Sequence, residues 1–222
     1  MKKYMPLEGL RWSRDSGSAL CDTSQNSRSR TGWGGKKEQF YLPNPNGIKK
    51  REKIKRHIWF FVQKYFYSTT PKFLGKWRIF CLRAFGAEIG KECFIASSTY
   101  VHLPWKLYLG DGVSIDEQCY LQGEIYMGNH VAIGNNVHIV TEGHNVKSRY
   151  FEGSNHPVRI GNSCFIGGDV YLARGVKIGT LSVVGAKSVV WHDVDENTIA
   201  FGNPCERKGY RIPPEEFSKY AY

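Results

Sequence analysis

Ile160-Gly161-Asn162-Ser163-Cys164-Phe165-Ile166-Gly167-Gly168-Asp169-Val170-Tyr171-Leu172 returns an aliphatic residue every six positions, and the series continues through Ile178, Val184 and Val190. An earlier series runs Leu109, Ile115, Leu121, Met127, Ile133 and Ile139, and a shorter one Ile89, Ile95 and Val101. Eight of these 15 cells carry Gly directly after the aliphatic residue: Gly90, Gly110, Gly128, Gly134, Gly161, Gly167, Gly179 and Gly185. In most cells Val, a small residue or Cys follows four positions after it.

Period six is neither helical nor a simple alternation. A helix needs returns at three and four, and each Gly would penalise it by roughly 1 kcal/mol. A strand of about four residues followed by a tight turn fits. The aliphatic points inward, the Gly supplies the positive φ of a bend, and the small residue fills a second inward slot. Three cells close a triangular coil, so 15 cells predict a mainly β fold of about five stacked coils, roughly 4.8 Å apart. Each buried aliphatic contributes about 1.5–3 kcal/mol.

Net charge is +11, but its distribution is uneven. Residues 1–66 hold 15 Lys and Arg against 5 Asp and Glu, whereas residues 67–222 hold 16 against 15. Residues 1–46 lack periodicity and read as a flexible basic tail. Residues 47–88 read as a helical cap, beginning with the basic block Lys49–Arg56 and the aromatic run Ile58–Tyr67. That run is far short of the roughly 20 residues that cross a bilayer. It suits first a cap over the open end of the coils, and residues 47–67 could at the same time make peripheral contact with an anionic membrane surface. No recognition motif supports nucleic-acid binding.

The repeat spans 89–205, with an eight-residue step from Val101 to Leu109 around Pro104-Trp105 and one long break. Residues 145–159 leave the coil as an excursion loop, of the kind that carries function. Residues 206–222 form a C-terminal tail. Cys93, Cys119 and Cys164 occupy the small inward slot and read as packing residues. With no CxxC and no secretory signal, the chain reads as cytoplasmic and reduced.

Ile133-Gly134-Asn135-Asn136-Val137-His138 and Ile178-Gly179-Thr180-Leu181-Ser182-Val183 resemble the hexapeptide repeat of left-handed parallel β-helix acyltransferases. The winding sense comes from that resemblance, since the general crossover preference is right-handed. Lys76-Trp77-Arg78, Phe85–Gly90, Pro104–Leu107, Thr141–Asn145 and Gly202-Asn203-Pro204 further resemble the colanic-acid and capsule-type O-acetyltransferases, over roughly residues 50–208. The resemblance implies a homotrimer that moves acetyl from acetyl-CoA to a sugar hydroxyl of an exopolysaccharide, capsule or related glycan precursor. The cytoplasmic localisation becomes the inner face of the membrane if residues 47–67 touch it. A noncatalytic β-helical scaffold and a membrane-surface adaptor are the readings from other classes.

From spacing alone His144, where the excursion departs, is open between a general base and a hydrogen-bonding residue; histidine titrates near neutrality and suits the former. In the family the His of a Thr-Gly-Ser-His-Asp-like segment is the base, and Thr141-Glu142-Gly143-His144-Asn145 matches it with Glu142 and Asn145 as departures. Relatives place an acceptor-binding Asn one coil earlier; Ser114–Tyr120 has none, leaving Asp116 or Gln118 as substitutes. Asn145 and His156 are the remaining acceptor-binding candidates. The family's coenzyme contacts carry over to Gly168, Ala186 and the pair Trp191-His192, where relatives commonly have Thr-Lys. Arg207 and Lys208 would meet the phosphates. No metal is expected: His138 and His144 hold the same slot in consecutive cells, whose side chains diverge too far for tetrahedral zinc in one chain.

Overall fold

The aliphatic columns of the sequence become the three inner walls of a parallel β-solenoid. The computed structural model describes residues 50–148 and 150–217, so the tail expected at 1–46 lies outside the described residues. Ile89, Leu109, Met127, Ile160 and Ile178 stack in register on the first face. Ile95, Ile115, Ile133, Ile166, Val184 and Ala200 stack on the second. Val101, Leu121, Ile139, Leu172 and Val190 stack on the third. All are buried. Each ladder is only two to four residues long, as at Phe165–Ile166 and Thr198–Phe201.

The coils number five complete turns and part of a sixth. Val194 pairs with Ile178 on the first face and Ala200 with Val184 on the second. Val194 follows Val190 by four positions instead of six, and Ala200 is small, so the period is broken where the winding continues. After the Asn203–Pro204 cis peptide, Glu206–Tyr210 returns antiparallel to Thr198–Phe201. The expected C-terminal tail therefore begins as a sheet strand.

The recurrent glycines have a different role from the one expected. Positive φ falls three positions after the aliphatic, at residues such as Gln118, Asn136, Asp169 and Lys187, with Gly112 and Gly175 in the same slot. The Gly directly after the aliphatic is demanded by the neighbouring coil. A Cβ on Gly161 would lie 2.6 Å from Thr180 N, and one on Gly167 2.6 Å from Ala186 N. The coil-to-coil spacing leaves no room there for a side chain.

The inward cysteines are free thiols that link successive coils. Cys93 donates to Gly110 O (3.1 Å), Cys119 to Gly134 O (3.1 Å) and Cys164 to Gly179 O (3.0 Å). Burial pushes Cys119 and Cys164 up to about 11, which keeps them protonated and non-nucleophilic.

At the N-terminal end the first coil has carbonyls with no coil beneath them. Two helices, α1 (Lys50–Val62) and α2 (Gly75–Ala84), supply one capping side chain per face. Arg83 donates to Ile89 O (2.7 Å), the buried Arg78 to Ile95 O (2.8 Å), and the buried Trp59 indole to Val101 O (2.7 Å). Tyr67 adds a fourth bond, to Ala96 O (3.3 Å). Arg78 also donates to Thr70 Oγ1 and Pro71 O. The eight-residue step is a short 3-10 turn, Pro104–Lys106.

Ile178→Ala should cost about 2–5 kcal/mol. Arg78→Leu, which leaves Ile95 O buried without a donor, should cost about 2–4 kcal/mol. Chemical denaturation of each variant against the parent checks both.

Candidate functional site

The excursion leaves the third face after Val140, earlier than the sequence indicated. Glu142–His144 pairs antiparallel with Gly153–Asn155, so His144 sits within one arm of a hairpin and not at the last position of a coil. The coil resumes with the strand at Val158, ahead of the expected loop end. The buried Thr141 fastens both feet: its hydroxyl donates to Asn155 Oδ1 (2.7 Å) and accepts from Glu124 N (2.9 Å), and its carbonyl accepts from His156 N (2.9 Å). Once Thr141 is satisfied by these partners, the chain is free to leave the corner.

His144 is exposed on this hairpin, its ring stacked on Phe151 at 4.3 Å and 3°. Its Nδ1 lies 2.9 Å from Phe151 O. A carbonyl oxygen only accepts, so Nδ1 carries the proton in the neutral ring and Nε2 presents its lone pair. Nε2 makes no hydrogen bond among the described residues. The arm is braced from below by Arg174, which donates to Ser154 Oγ (2.9 Å) and to His144 O (3.3 Å). Gly143 makes room for it: a Cβ there would stand 2.6 Å from Arg174 Nη1.

Beneath Glu142 lies His102, half-buried and stacked on Phe60. Burial pushes its imidazole below the ordinary value even with the Glu142 carboxylate at 3.7 Å. Asn145 is occupied in holding the hairpin turn, donating to Glu152 Oε1 (2.8 Å) and accepting from Lys147 N (3.2 Å). The Ser148 hydroxyl and the Asn145 amide hold the Glu152 carboxyl below its usual range.

The candidate residues fall on two different corners of the prism. His156, Trp191 and His192 share an open depression of about 530 Å³ with Arg174, Gly175, Val176 and Asp193, at the corner between the third and first faces. Arg174 joins this depression to the His144 arm. The second group lies at the corner between the second and third faces. Asp116 and Gln118 are there, exposed, with Gln118 at positive φ and its N–H donating to Ser98 Oγ (2.9 Å). Gly168 and Ala186 follow two coils higher and beyond, tied by Lys187 N to Gly168 O (2.9 Å). Phe201 closes over Gly185, and Lys208 lies 5.5 Å over the Phe201 ring while paired with Glu206 at 3.0 Å. Arg207 stacks on Tyr210 at 4.1 Å. Within one chain the imidazole and the Gly168–Ala186 corner are separated by the width of the third face.

Sequence reasoning missed Arg174. The available signal was its position two after Leu172, the slot that His192 holds after Val190 in the next coil. Among the described residues no group of three His, Cys, Asp or Glu could hold a metal ion.

Fold and site define a class: a three-faced parallel β-solenoid that carries an exposed imidazole on a braced hairpin at a coil corner. Residues 157–190 match the family described as bacterial transferase hexapeptide (six repeats). The chain is 39% identical over 163 residues to the putative colanic acid biosynthesis acetyltransferase WcaF of Escherichia coli, covering 72% of this chain and 90% of that one. It is 30% identical over 191 residues to a galactoside O-acetyltransferase of Lactococcus lactis, covering 83% and 89%. A hexapeptide-repeat acetyltransferase of Vibrio cholerae, complexed with acetyl coenzyme A, superposes with a TM-score of 0.67 at 24% identity, over 74% of this chain and 91% of that one. The chain belongs to the hexapeptide-repeat family of acetyltransferases.

Arg174→Ala should release the hairpin without disturbing the coils. Amide exchange at residues 143–148 and 150–154 should accelerate about tenfold or more, while exchange at Leu172 and Ile178 stays at the parent rate.

Proposed function

We propose that the protein transfers an acetyl group from acetyl-CoA to a hydroxyl of a sugar in an exopolysaccharide, capsule or related glycan precursor, in the cytoplasm, with His144 as general base. The observation that carries this reading is the 2.9 Å contact of His144 Nδ1 with Phe151 O, which leaves Nε2 as the acceptor of an exposed ring. The names of the relatives, a colanic acid acetyltransferase and a galactoside O-acetyltransferase, support a sugar acceptor. The coenzyme complex of the Vibrio cholerae neighbour accompanies a similar fold.

Nε2 takes the proton of the sugar hydroxyl as the oxygen attacks the thioester carbonyl carbon. The tetrahedral intermediate carries its charge on the former carbonyl oxygen, where a backbone N–H or a polar side chain stabilises it. Collapse breaks the carbon–sulfur bond, and the leaving thiolate recovers the proton from the imidazolium. His156 flanks the acceptor at the depression, Asp116 and Gln118 contribute to it from their corner, and Trp191, expected as a coenzyme contact, shares the depression with His156 and so stands on the acceptor side. The Gly168 and Ala186 corner seats pantetheine, where small residues let it approach the backbone, and Lys208 and Arg207 meet the phosphates.

The separation of the two corners within one chain supports a homotrimer, in which the hairpin of one copy faces the Gly168–Ala186 corner of the next. His192 stands on the hairpin's own corner, so in this arrangement it walls the acceptor side of the cleft.

Glycan precursors incubated with acetyl-CoA and the protein should gain the mass of one acetyl group. His144→Ala should lower that rate by about 10²- to 10⁴-fold. Transfer at the parent rate by the variant would remove His144 from the chemistry, and no acetyl gain together with no coenzyme binding would favour a noncatalytic scaffold.

A further inference from the structure

Helix α1 is apolar on two opposite sides. One side is used: Trp59 is buried, and Phe60 and Val62 pack against the solenoid core. The other side carries Ile54, Ile58 and Phe61, and Tyr65 in the π-helical turn Gln63–Tyr67 that follows extends them into a continuous outward stripe. A second stripe, Phe73, Trp77 and Phe80, runs along and just before α2, with Phe73 83% exposed. The two meet where the Trp77 indole donates to Phe66 O (2.9 Å), and the Phe61 and Phe66 rings lie 6.1 Å apart. They form one apolar patch of a kind that soluble monomers rarely leave uncovered.

The patch is ringed with positive charge. Lys50, Arg51, Lys53, Lys64 and Lys76 are all exposed around it, while Lys55 turns inward over the Trp105 ring at 4.2 Å, and the one acidic side chain of the two helices, Glu52, is already paired with Arg56 at 3.4 Å. That charge argues against two occupants. A second copy meeting the patch with its own patch would bring like charges together, and residues 1–49 hold 9 Lys and Arg against 4 Asp and Glu. An anionic surface complements it instead. Among the described residues no helix is long and apolar enough to cross a membrane, so the arrangement suits lying on one.

We infer that the outer stripes of the two helices dock the protein on a bilayer rich in anionic headgroups, with the aromatic side chains entering the interface and the lysines meeting the phosphates. Helix α1 thus serves two surfaces at once, with its inner side closing the solenoid and its outer side holding the membrane. The inference stands on the patch alone and does not rest on the acetyl-transfer reading. A basic residue near an anionic surface contributes about a fivefold gain in partitioning, and the buried aromatic side chains add to it.

Co-sedimentation of the full chain with phosphatidylcholine vesicles, with and without phosphatidylglycerol, tests this. Binding should be at least about tenfold stronger with phosphatidylglycerol and should fall as salt is raised. Ile58→Ser/Phe61→Ser/Phe73→Ser and, separately, Lys53→Glu/Lys76→Glu should each weaken it about tenfold or more, with melting curves and sedimentation mass unchanged. The charge-reversed variant keeps the test intact should the apolar triple variant fold poorly. Absence of binding to phosphatidylglycerol vesicles, or equal binding to neutral ones, would overturn the inference. So would a triple variant that loses oligomer mass yet binds vesicles like the parent, since the patch would then be a contact between copies.

Discussion

Strand pairing holds each coil about 4.8 Å from the next, and that spacing makes every slot in the cell meet the same slot one turn away. An inward slot must therefore hold residues that stack on their own kind, which is why the three walls are columns of Ile, Leu and Val. On the first face the slot after the aliphatic holds only Gly, because the backbone of the next coil occupies the space of a Cβ, whereas on the third face the same slot admits His102, Gln122 and Trp191. The small inward slot accepts Cys as readily as Val, since a thiol there finds the carbonyl of the adjacent coil. The same rule creates the problem at the open end. Carbonyls that would have faced another coil are met instead by Arg83, Arg78 and Trp59, one for each face.

Function enters where the rule is relaxed, at the corners. A side chain at a corner is outside the stack and can vary from coil to coil, and a chain that leaves at a corner disturbs only its own two feet. Thr141 satisfies those feet, and the hairpin above them is free to carry an imidazole whose proton is placed by a backbone carbonyl. The sequence between Thr141 and Asn145 is thus a set of mechanical requirements: a hydroxyl at the foot, a Gly over Arg174, and a histidine beyond it.

The walls were legible because an aliphatic that recurs every six positions has no other regular home. The irregular step at Pro104 and the long break were legible as interruptions of that count. The true reason for the glycines was not, since close approach to the next coil and positive φ select the same residue; only coordinates separate them. The sixth turn was hidden by the four-residue step to Val194 and by the small Ala200. The motif singled out His144 as a candidate, but its place inside a hairpin arm was not legible, because the pairing partner Gly153 has no signature of its own. Arg174 was missed for a related reason: its partners, Ser154 Oγ and His144 O, are brought to it only by the fold. That the candidate residues divide between two corners also emerges only once the cells are wound into a prism.

That division leads to the central claim, that a working site takes its imidazole from one copy and its coenzyme seat from another. Co-expression of His144→Ala with Ala186→Trp chains tests it most directly. Each variant alone should be inactive. In mixed trimers a cleft with both intact halves forms at one interface in three, and random mixing then restores about a quarter of parent acetyl transfer. Mixed oligomers that assemble normally and recover no activity would place both halves of the site in a single chain and contradict the account.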